Sequence, residues 1–130
     1  MRRRLAQITL LVDDYDTAIA HYTQDLGFVL LEDQDLGGGK RWVRVCPSPL
    51  DSCALLLAKA TGESQKARIG DQTGGRVGFF LHTEDFHHDH AAMSARGVVF
   101  VEAPRNEVYG TVAVFLDRYG NRWDLIEPHQ

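Results

Sequence analysis

The sequence predicts an α+β fold made of two tandem βαβββ modules that form a cupped, mostly antiparallel sheet. Three observations lead to this prediction. The sequence resembles itself at an offset of 70 residues, so that Gly27 aligns with Gly97 and Leu55 with Leu125. Each of the two glycines follows a helix-like segment with an acidic start and precedes a strand-like run. The sheet that each half can form is too small to be stable alone, so the halves must share a core.

The first module is predicted over residues 5–60. Asp14 precedes the helix and can accept hydrogen bonds from its first free N–H groups. Tyr15, Ile19 and Tyr22 begin an apolar stripe along one helix face, which must pack on a sheet. The elements of this module are a strand, a helix and three further strands, at residues 5–12, 15–26, 28–32, 41–46 and 53–59.

The second module is predicted over residues 76–130 and repeats this order. Between the modules, residues 61–75 are polar and contain glycine without a clear period, which predicts a linker or a mobile flap. We expect one domain over residues 1–130. The elements of the second module are a strand, a helix and three strands, at residues 76–82, 85–96, 98–102, 111–116 and 122–127.

Composition excludes several classes of protein. The chain has 130 residues, of which 44% are hydrophobic and 25% charged, enough for the core of one soluble domain. A formal net charge of −4 argues against broad nucleic-acid binding, which needs a basic surface. No apolar run approaches the roughly 18 residues of a membrane span. The start of the chain lacks a secretory pattern, so we expect a cytoplasmic protein in which Cys46 and Cys53 are reduced.

Strand alternation predicts which side chains line the cup. In the first strand Ile8, Leu10 and Val12 are uniformly apolar and should pack on the helix, which turns their neighbours toward the cup. The same argument on the other strands gives apolar walls with a few polar groups, a mixture typical of small-molecule sites. The predicted lining residues are Gln7, Thr9, Trp42, Arg44, Leu56, Arg76, Phe80, His82, Arg122 and Asp124.

Histidines offer two further candidates for functional residues, one for catalysis and one for metal binding. His82 ends a strand on the cup side, where it could be a general base or a hydrogen-bond donor, or could be structural. His87 and His90 share a helix face, but that face is expected to lie outside the sheet and to be solvated. Neither cysteine has an activating base near it in sequence, so nucleophilic catalysis has no positive support.

The order of the motifs resembles the vicinal-oxygen-chelate superfamily of glyoxalases, bleomycin-resistance proteins and extradiol dioxygenases. The likeness is carried by residues 8–14, by Leu26-Gly27-Phe28 and by residues 117–125, where Arg118 replaces the proline of the usual D-P-x-G-N wording. It spans nearly the whole chain. The resemblance implies the glyoxalase/bleomycin resistance/dioxygenase fold, a homodimer, and a place for Tyr109 at the rim of the pocket, where its ring could stack on a ligand.

The resemblance also implies where a metal would bind. Metal-dependent members use four positions, which correspond here to Gln7, Ala54, Arg76 and Asp124. Ala54 has no donor atom, and Arg76 carries a fixed positive charge that repels a cation. We therefore expect no cofactor, although a divalent metal held in another way stays open. Arg76 and Asp124 are instead expected to form an internal ion pair, which either contacts a substrate or only seals the junction between strands.

Three functions follow as hypotheses. The first is a metal-free member that binds a small organic molecule, planar or anionic, in the cup. The second is an enzyme of the glyoxalase or dioxygenase type, with a metal at an altered site or with His82 and Asp124 as catalytic acid–base residues. The third is an interaction module whose cup is vestigial. Metal content separates the first two hypotheses, and a collapsed cup would favour the third.

Overall fold

A computed structural model describes residues 1–49 and 53–129 of the chain. The chain divides into two compact units, Met1–Ile69 and Gly70–Gln130. Each unit contains one mixed sheet and a helix that follows its first strand. The predicted α+β class, the duplication and the mostly antiparallel pairing are confirmed, since only the pairs formed by the first and last strands of each unit are parallel. That both units enclose one cup stays a prediction.

The first unit consists of β1 (Gln7–Val12), α1 (Tyr15–Ala20), β2 (Val29–Gly37), β3 (Lys40–Cys46), β4 (Ala54–Lys59) and α2 (Gly62–Lys66). Its four strands form one sheet in the order β1-β4-β3-β2. The side chain of Asp14 caps α1 by accepting hydrogen bonds from the backbone N–H and the hydroxyl of Thr17, both at 2.9 Å. α1 continues into a π-helical segment at His21–Asp25.

One face of this sheet packs on α1 and forms the core of the unit. Leu10, Val12 and Leu57 are fully buried, as is Tyr22 of the π-helical segment. Strand alternation therefore gave the correct inward side chains at Leu10, Val12 and Leu57, whereas Ile8, which was also expected to pack on the helix, is 44% exposed. The other face of the sheet is left open, and it carries the side chains expected to line a binding site.

The second unit consists of β5 (Val77–His82), α3 (Phe86–Ala95), β6 (Val99–Phe100), β7 (Arg105–Glu107), β8 (Gly110–Leu116) and β9 (Arg122–Pro128). Its strand order is β5-β9-β8-β6, with β7 also paired to β8. Asp85 caps α3 by accepting a hydrogen bond from the backbone N–H of His88. The predicted strand at 98–102 is shorter in the structure and ends at Phe100. Beyond it, the Glu102 carboxylate accepts a hydrogen bond from the backbone N–H of Val114, and the chain then pairs with β8 again as the separate strand β7.

A buried carboxylate holds the turn between β8 and β9. Asp117 is 5% exposed, and its Oδ1 accepts hydrogen bonds from the backbone N–H groups of Tyr119 and Asn121 at 2.9 Å. Its Oδ2 accepts from the side-chain amide of Asn121 at 2.9 Å and from the indole N–H of Trp123 at 3.4 Å. These bonds explain why Asp117 and Asn121 occur together in the motif that carries the family resemblance.

The segment predicted as a linker is more structured than its composition suggested. α2 contacts β1, and the Gln65 side chain accepts a hydrogen bond from the backbone N–H of Thr61 at 2.9 Å. Gly70 has a φ of +78°, and a Cβ at that position would overlap the carbonyl oxygen of Tyr119. Within the described residues, none of the helices has the length and apolarity that crossing a membrane requires.

Candidate functional site

The open face of the first sheet is built by rows of side chains across neighbouring strands. Thr9 of β1 pairs with Leu56 of β4, and Leu56 pairs with Arg44 of β3. One row further along, Leu11 pairs with Ala58. Because residues two apart share a face, these side chains lie together on the side opposite the core. This surface is the one that strand alternation predicted.

A pocket of about 550 Å³ lies on this face, within the first unit. Three of the predicted ligand-binding residues line it: Thr9, Trp42 and Leu56. The β2–β3 hairpin and the start of the 61–75 segment complete the wall, which sequence reasoning had not placed there. The pocket is lined by Thr9, Leu11, Tyr15, Leu36, Gly38, Gly39, Lys40, Arg41, Trp42, Leu56, Leu57, Ala58, Lys59, Thr61 and Gln65.

Two predicted lining residues of the first unit lie outside this pocket. Gln7 sits at the start of β1, opposite Ala54. Arg44 is held by Glu32, whose Oε1 accepts from the arginine Nε at 2.7 Å. The charge of Arg44 is therefore matched within the sheet.

An arginine clamp fixes the hairpin beside the pocket. Arg41 donates two hydrogen bonds to Asp33, at 3.1 and 2.7 Å, and one to Asp16 at 2.9 Å. Its guanidinium lies 5.2 Å from the centre of the Tyr15 ring, and the Tyr15 hydroxyl accepts from the Arg41 backbone N–H at 3.2 Å. The hydrogen bonds from Arg41 lower the pKa of Asp33. The clamp joins residues distant in sequence, so no local pattern reveals it.

The second unit holds a buried carboxylate in mid-strand. Asp124 is 8% exposed and lies between Phe80 of β5 and Val114 of β8. Its Oδ1 finds no hydrogen-bond partner among the described residues. Burial raises the pKa of the Asp124 carboxyl above its ordinary value, the nearby Arg105 opposes this rise, and Glu102 adds to it.

The predicted ion pair between Arg76 and Asp124 is wrong. Arg76 is exposed and precedes β5, and the two side chains form no ion pair in the described part of the chain. The pairing of β5 with β9 begins at Val77 and Arg122 and shifts by one residue before Phe79, so Phe80 lies opposite Asp124 and Arg76 lies before the first pair. Counting along the sequence could not reveal this shift, because a bulge changes which residues face one another.

The structure places the other predicted residues of this unit separately. His82 is exposed at the end of β5 and pairs with Ile126, and Arg122 is exposed at the start of β9. Tyr109 is 51% exposed, and its hydroxyl lies 3.4 Å from a guanidinium nitrogen of Arg105. His90 is not simply solvated, because its ring lies 4.2 Å from that of Phe100.

A charged cluster around Arg105 was not found from the sequence. Arg105 donates to Glu102 at 3.1 Å and to Glu107 at 2.9 Å. Glu102 in turn binds the Val114 backbone, so the cluster ties β7 to the middle of β8. The alternating Glu102, Arg105 and Glu107 charges were the available signal, but the separate strand β7 was needed to interpret them.

A pH dependence follows for Asp124. A folded-state pKa above the unfolded value favours the protonated carboxyl in the fold, so stability falls as pH rises from the ordinary range of aspartate, about 4, through the raised folded pKa. We expect Asp124→Asn to raise the Tm at neutral pH by about 2–4 °C, and to lose this advantage at acidic pH. Melting curves from acidic to neutral pH measure both. Asp13→Asn, at an exposed position, is the control for net charge; an equal shift in both variants would contradict the assignment.

Comparison with known proteins identifies the family. Residues 4–125 match the model of the Glyoxalase/Bleomycin resistance protein/Dioxygenase superfamily. The chain belongs to this superfamily. An uncharacterized protein of Shewanella frigidimarina (strain NCIMB 400) is 46% identical over 128 residues, covering 98% of this chain and 95% of the relative.

Solved structures agree with this family. The crystal structure of UcmS2 is similar with a TM-score of 0.83 and 32% identity, over 98% of this chain and 99% of that one. TnmS3, described as an antibiotic binding protein from Streptomyces sp. CB03234, gives a TM-score of 0.78 and 29% identity, over 98% of each chain. Together with the family match over residues 4–125, these likenesses show the glyoxalase/bleomycin resistance fold over almost the entire chain.

The residues present do not fit the metal of the metal-dependent superfamily members. In the first sheet Gln7 offers an oxygen but stands opposite Ala54, and in the second Asp124 stands opposite Phe80. Across residues 1–49 and 53–129, no three His, Cys, Asp or Glu side chains come together as a metal site would require. One weak donor in each sheet does not provide the three or four ligands that a divalent metal needs.

Proposed function

We propose that this superfamily member binds a small organic molecule with an aromatic portion, and that the pocket of the first unit receives it. The observation that carries the proposal is the pocket itself, whose floor is the apolar open face of the sheet and whose wall includes Trp42. A volume of about 550 Å³ lies in the range of small-molecule sites, and a few polar groups stand at its edge. A vestigial, collapsed surface would offer no such space.

The comparison with TnmS3 supports a role in binding. That protein is described as antibiotic binding, and this chain matches it at 29% identity over 98% of its length. Binding without chemical change requires shape and apolar contact but no catalytic group. We therefore propose that the protein retains or sequesters its ligand.

We further propose that binding needs no metal. The support is the donor set: Ala54 contributes no ligand atom, and Phe80 occupies the position opposite Asp124. The apolar pocket wall supplies contact area that is independent of a cation.

Thermal melting tests the proposal with a set of planar aromatic compounds and aliphatic compounds of similar volume, in the presence of a chelator. A ligand at about 100 times its Kd stabilises the folded state by about 2.7 kcal/mol, which raises the Tm by several degrees. We expect stabilisation by members of the aromatic set only. Stabilisation by neither set, or only after addition of a divalent metal, would contradict the proposal.

An enzymatic role of the glyoxalase or dioxygenase type is the second candidate. The observation that favours it is Asp124, a buried carboxyl with a raised pKa and an Oδ1 without a partner in the described residues, which is typical of acid–base catalysts. Mass spectrometry of each bound compound after incubation with the protein distinguishes the two roles. Conversion that disappears in Asp124→Asn would establish the enzyme, and unchanged ligand would leave the binding role.

We also propose that the protein forms a homodimer and works in the cytoplasm. Exposed apolar side chains support the homodimer, since Val99 is 57% exposed and Val108 is 98% exposed in the single chain. The free thiols of Cys46 and Cys53 suit a reducing compartment. Sedimentation equilibrium should give twice the chain mass of 14.6 kDa; a single chain at micromolar concentration would contradict the dimer.

A further inference from the structure

The pocket of the first unit has a charge opposite to that of the whole protein. The chain carries a formal net charge of −4, with 18 acidic residues. The residues that line the pocket nevertheless include Lys40, Arg41 and Lys59, and none of those described there is Asp or Glu. Two of the three lysines of the chain are thus placed at one small cavity, and a third lysine, Lys66, lies outside its lining.

The three cations are not equivalent. The charge of Arg41 is matched by Asp33 and Asp16, at 2.7 and 2.9 Å. Lys59 acts on Asp14, because the pKa of that carboxyl is lowered first by hydrogen bonds from Thr17 and then by the charges of Lys59 and Arg41. The charge of Arg41 is therefore already paired with carboxylates, whereas Lys59 acts on Asp14 through its charge without an ion pair in the described residues.

Lys40 is the cation left for a ligand. It begins β3 at the tip of the hairpin, and in the described residues its ammonium group takes part in no ion pair. Lys40 and Trp42 are two residues apart on the same strand, so their side chains project to the same face, and both line the pocket. The Arg41 clamp between them fixes this part of the hairpin to α1 through Asp16.

We propose that the ligand is an aromatic anion, a carboxylate or sulfonate, whose ring packs against Trp42 and whose anionic group contacts Lys40. This inference rests on the proposed function and adds the charge of the ligand. An ammonium group at the rim of an apolar cavity attracts an anion while the ring leaves water. The preference is moderate, because a partly solvated ion pair contributes up to about 1 kcal/mol, or roughly 5-fold in affinity.

A matched pair of fluorescent probes tests the proposal: an anthracene carboxylate and the corresponding neutral anthracene carboxamide. We expect wild type to bind the carboxylate about 5-fold more tightly than the carboxamide at low salt. Lys40→Glu should abolish or reverse this preference, measured as the ratio of the two affinities within the same variant. Lys66→Glu makes the same charge change on an exposed helix position outside the pocket and should keep the preference. Lys40→Gln, which removes the charge without reversing it, is the second variant if Lys40→Glu melts early.

The outcomes distinguish the anion preference, its assignment to Lys40 and the proposed function of the pocket. Equal binding of both probes by wild type would overturn the anion preference while leaving the proposed pocket intact. A preference that survives in both Lys40 variants would overturn the assignment to Lys40. An equal loss of the preference in Lys66→Glu would show that the preference depends on the net charge of the protein, and would also overturn the assignment to Lys40. Binding of neither probe, nor of any other aromatic compound, would contradict the proposed function itself.

Discussion

Replacing Trp42 with alanine should weaken the binding of an aromatic ligand by about 10- to 150-fold. The indole is the largest apolar side chain in the pocket wall, and removing a buried aromatic contact costs about 1.5–3 kcal/mol of binding free energy. Titration calorimetry or probe fluorescence measures the loss. Because Trp42 is only partly buried, the variant should keep its fold, which circular dichroism checks.

The conservative variant distinguishes a ligand contact from a general defect. Trp42→Phe retains an aromatic ring and should stay within about 3-fold of wild type, since only part of the contact area is lost. Unchanged affinity in Trp42→Ala would show that the ligand lies elsewhere. An equal loss in both variants, with an intact fold, would point to the indole N–H instead of the ring face.

Replacing Asp117 with alanine should lower the free energy of unfolding by about 3 kcal/mol or more. The substitution leaves the backbone N–H groups of Tyr119 and Asn121 without their acceptor, together with the side-chain amide of Asn121. Hydrogen bonds to a buried charged group contribute about 1.5–3 kcal/mol, and unsatisfied buried donors add to the loss. Urea denaturation measures the change in unfolding free energy.

An exposed aspartate provides the control for this loss. Asp13→Ala removes the same charge from the surface and should change stability by less than about 0.5 kcal/mol. A loss below about 1 kcal/mol in Asp117→Ala would mean that water replaces the carboxylate, and that the turn does not depend on it. Such a result would remove our explanation for the joint occurrence of Asp117 and Asn121.

The fold could be predicted because its signals are local or periodic. Asp14 and Asp85 were each expected to begin a helix region, and both cap one in the structure. The apolar positions Leu10 and Val12 gave the buried face of β1, since a strand alternates between two environments. The duplication then fixed the order of elements without any information about distant contacts.

Several features of the site depend on relations that a sequence pattern does not contain. The register shift after Val77 places Phe80 instead of Phe79 opposite Asp124, and Arg76 lies before the first residue pair of these strands. The bonds of Arg41 to Asp16 and Asp33 require the hairpin to fold back on α1. Residues 61–75 looked like a linker because their packing depends on contacts with β1 and on one glycine beside a carbonyl group, and neither produces a period.

The pocket residues on strands could be predicted from the sequence, whereas those at the hairpin tip, which form the rim of the pocket, could not. Thr9, Trp42 and Leu56 were assigned by alternation and do line the pocket. Lys40 was overlooked because it lies at the hairpin tip, where the glycines at 37–39 set the direction of the chain and the strand period ends. Residues in turns need a structure to be placed, since their side chains follow the turn geometry.

A nuclear magnetic resonance titration of chelator-treated, isotope-labelled protein with an anthracene carboxylate tests directly whether the pocket of the first unit binds its ligand without a metal. We predict chemical-shift changes at the indole N–H of Trp42 and at the backbone amides of Thr9 and Ala58, with saturation that is unchanged by added zinc. The indole of Trp123, buried in the core of the second unit, serves as the internal reference. Shifts that appear only after metal is added, or that leave the Trp42 indole unaffected at saturation, would contradict a metal-free pocket in the first unit.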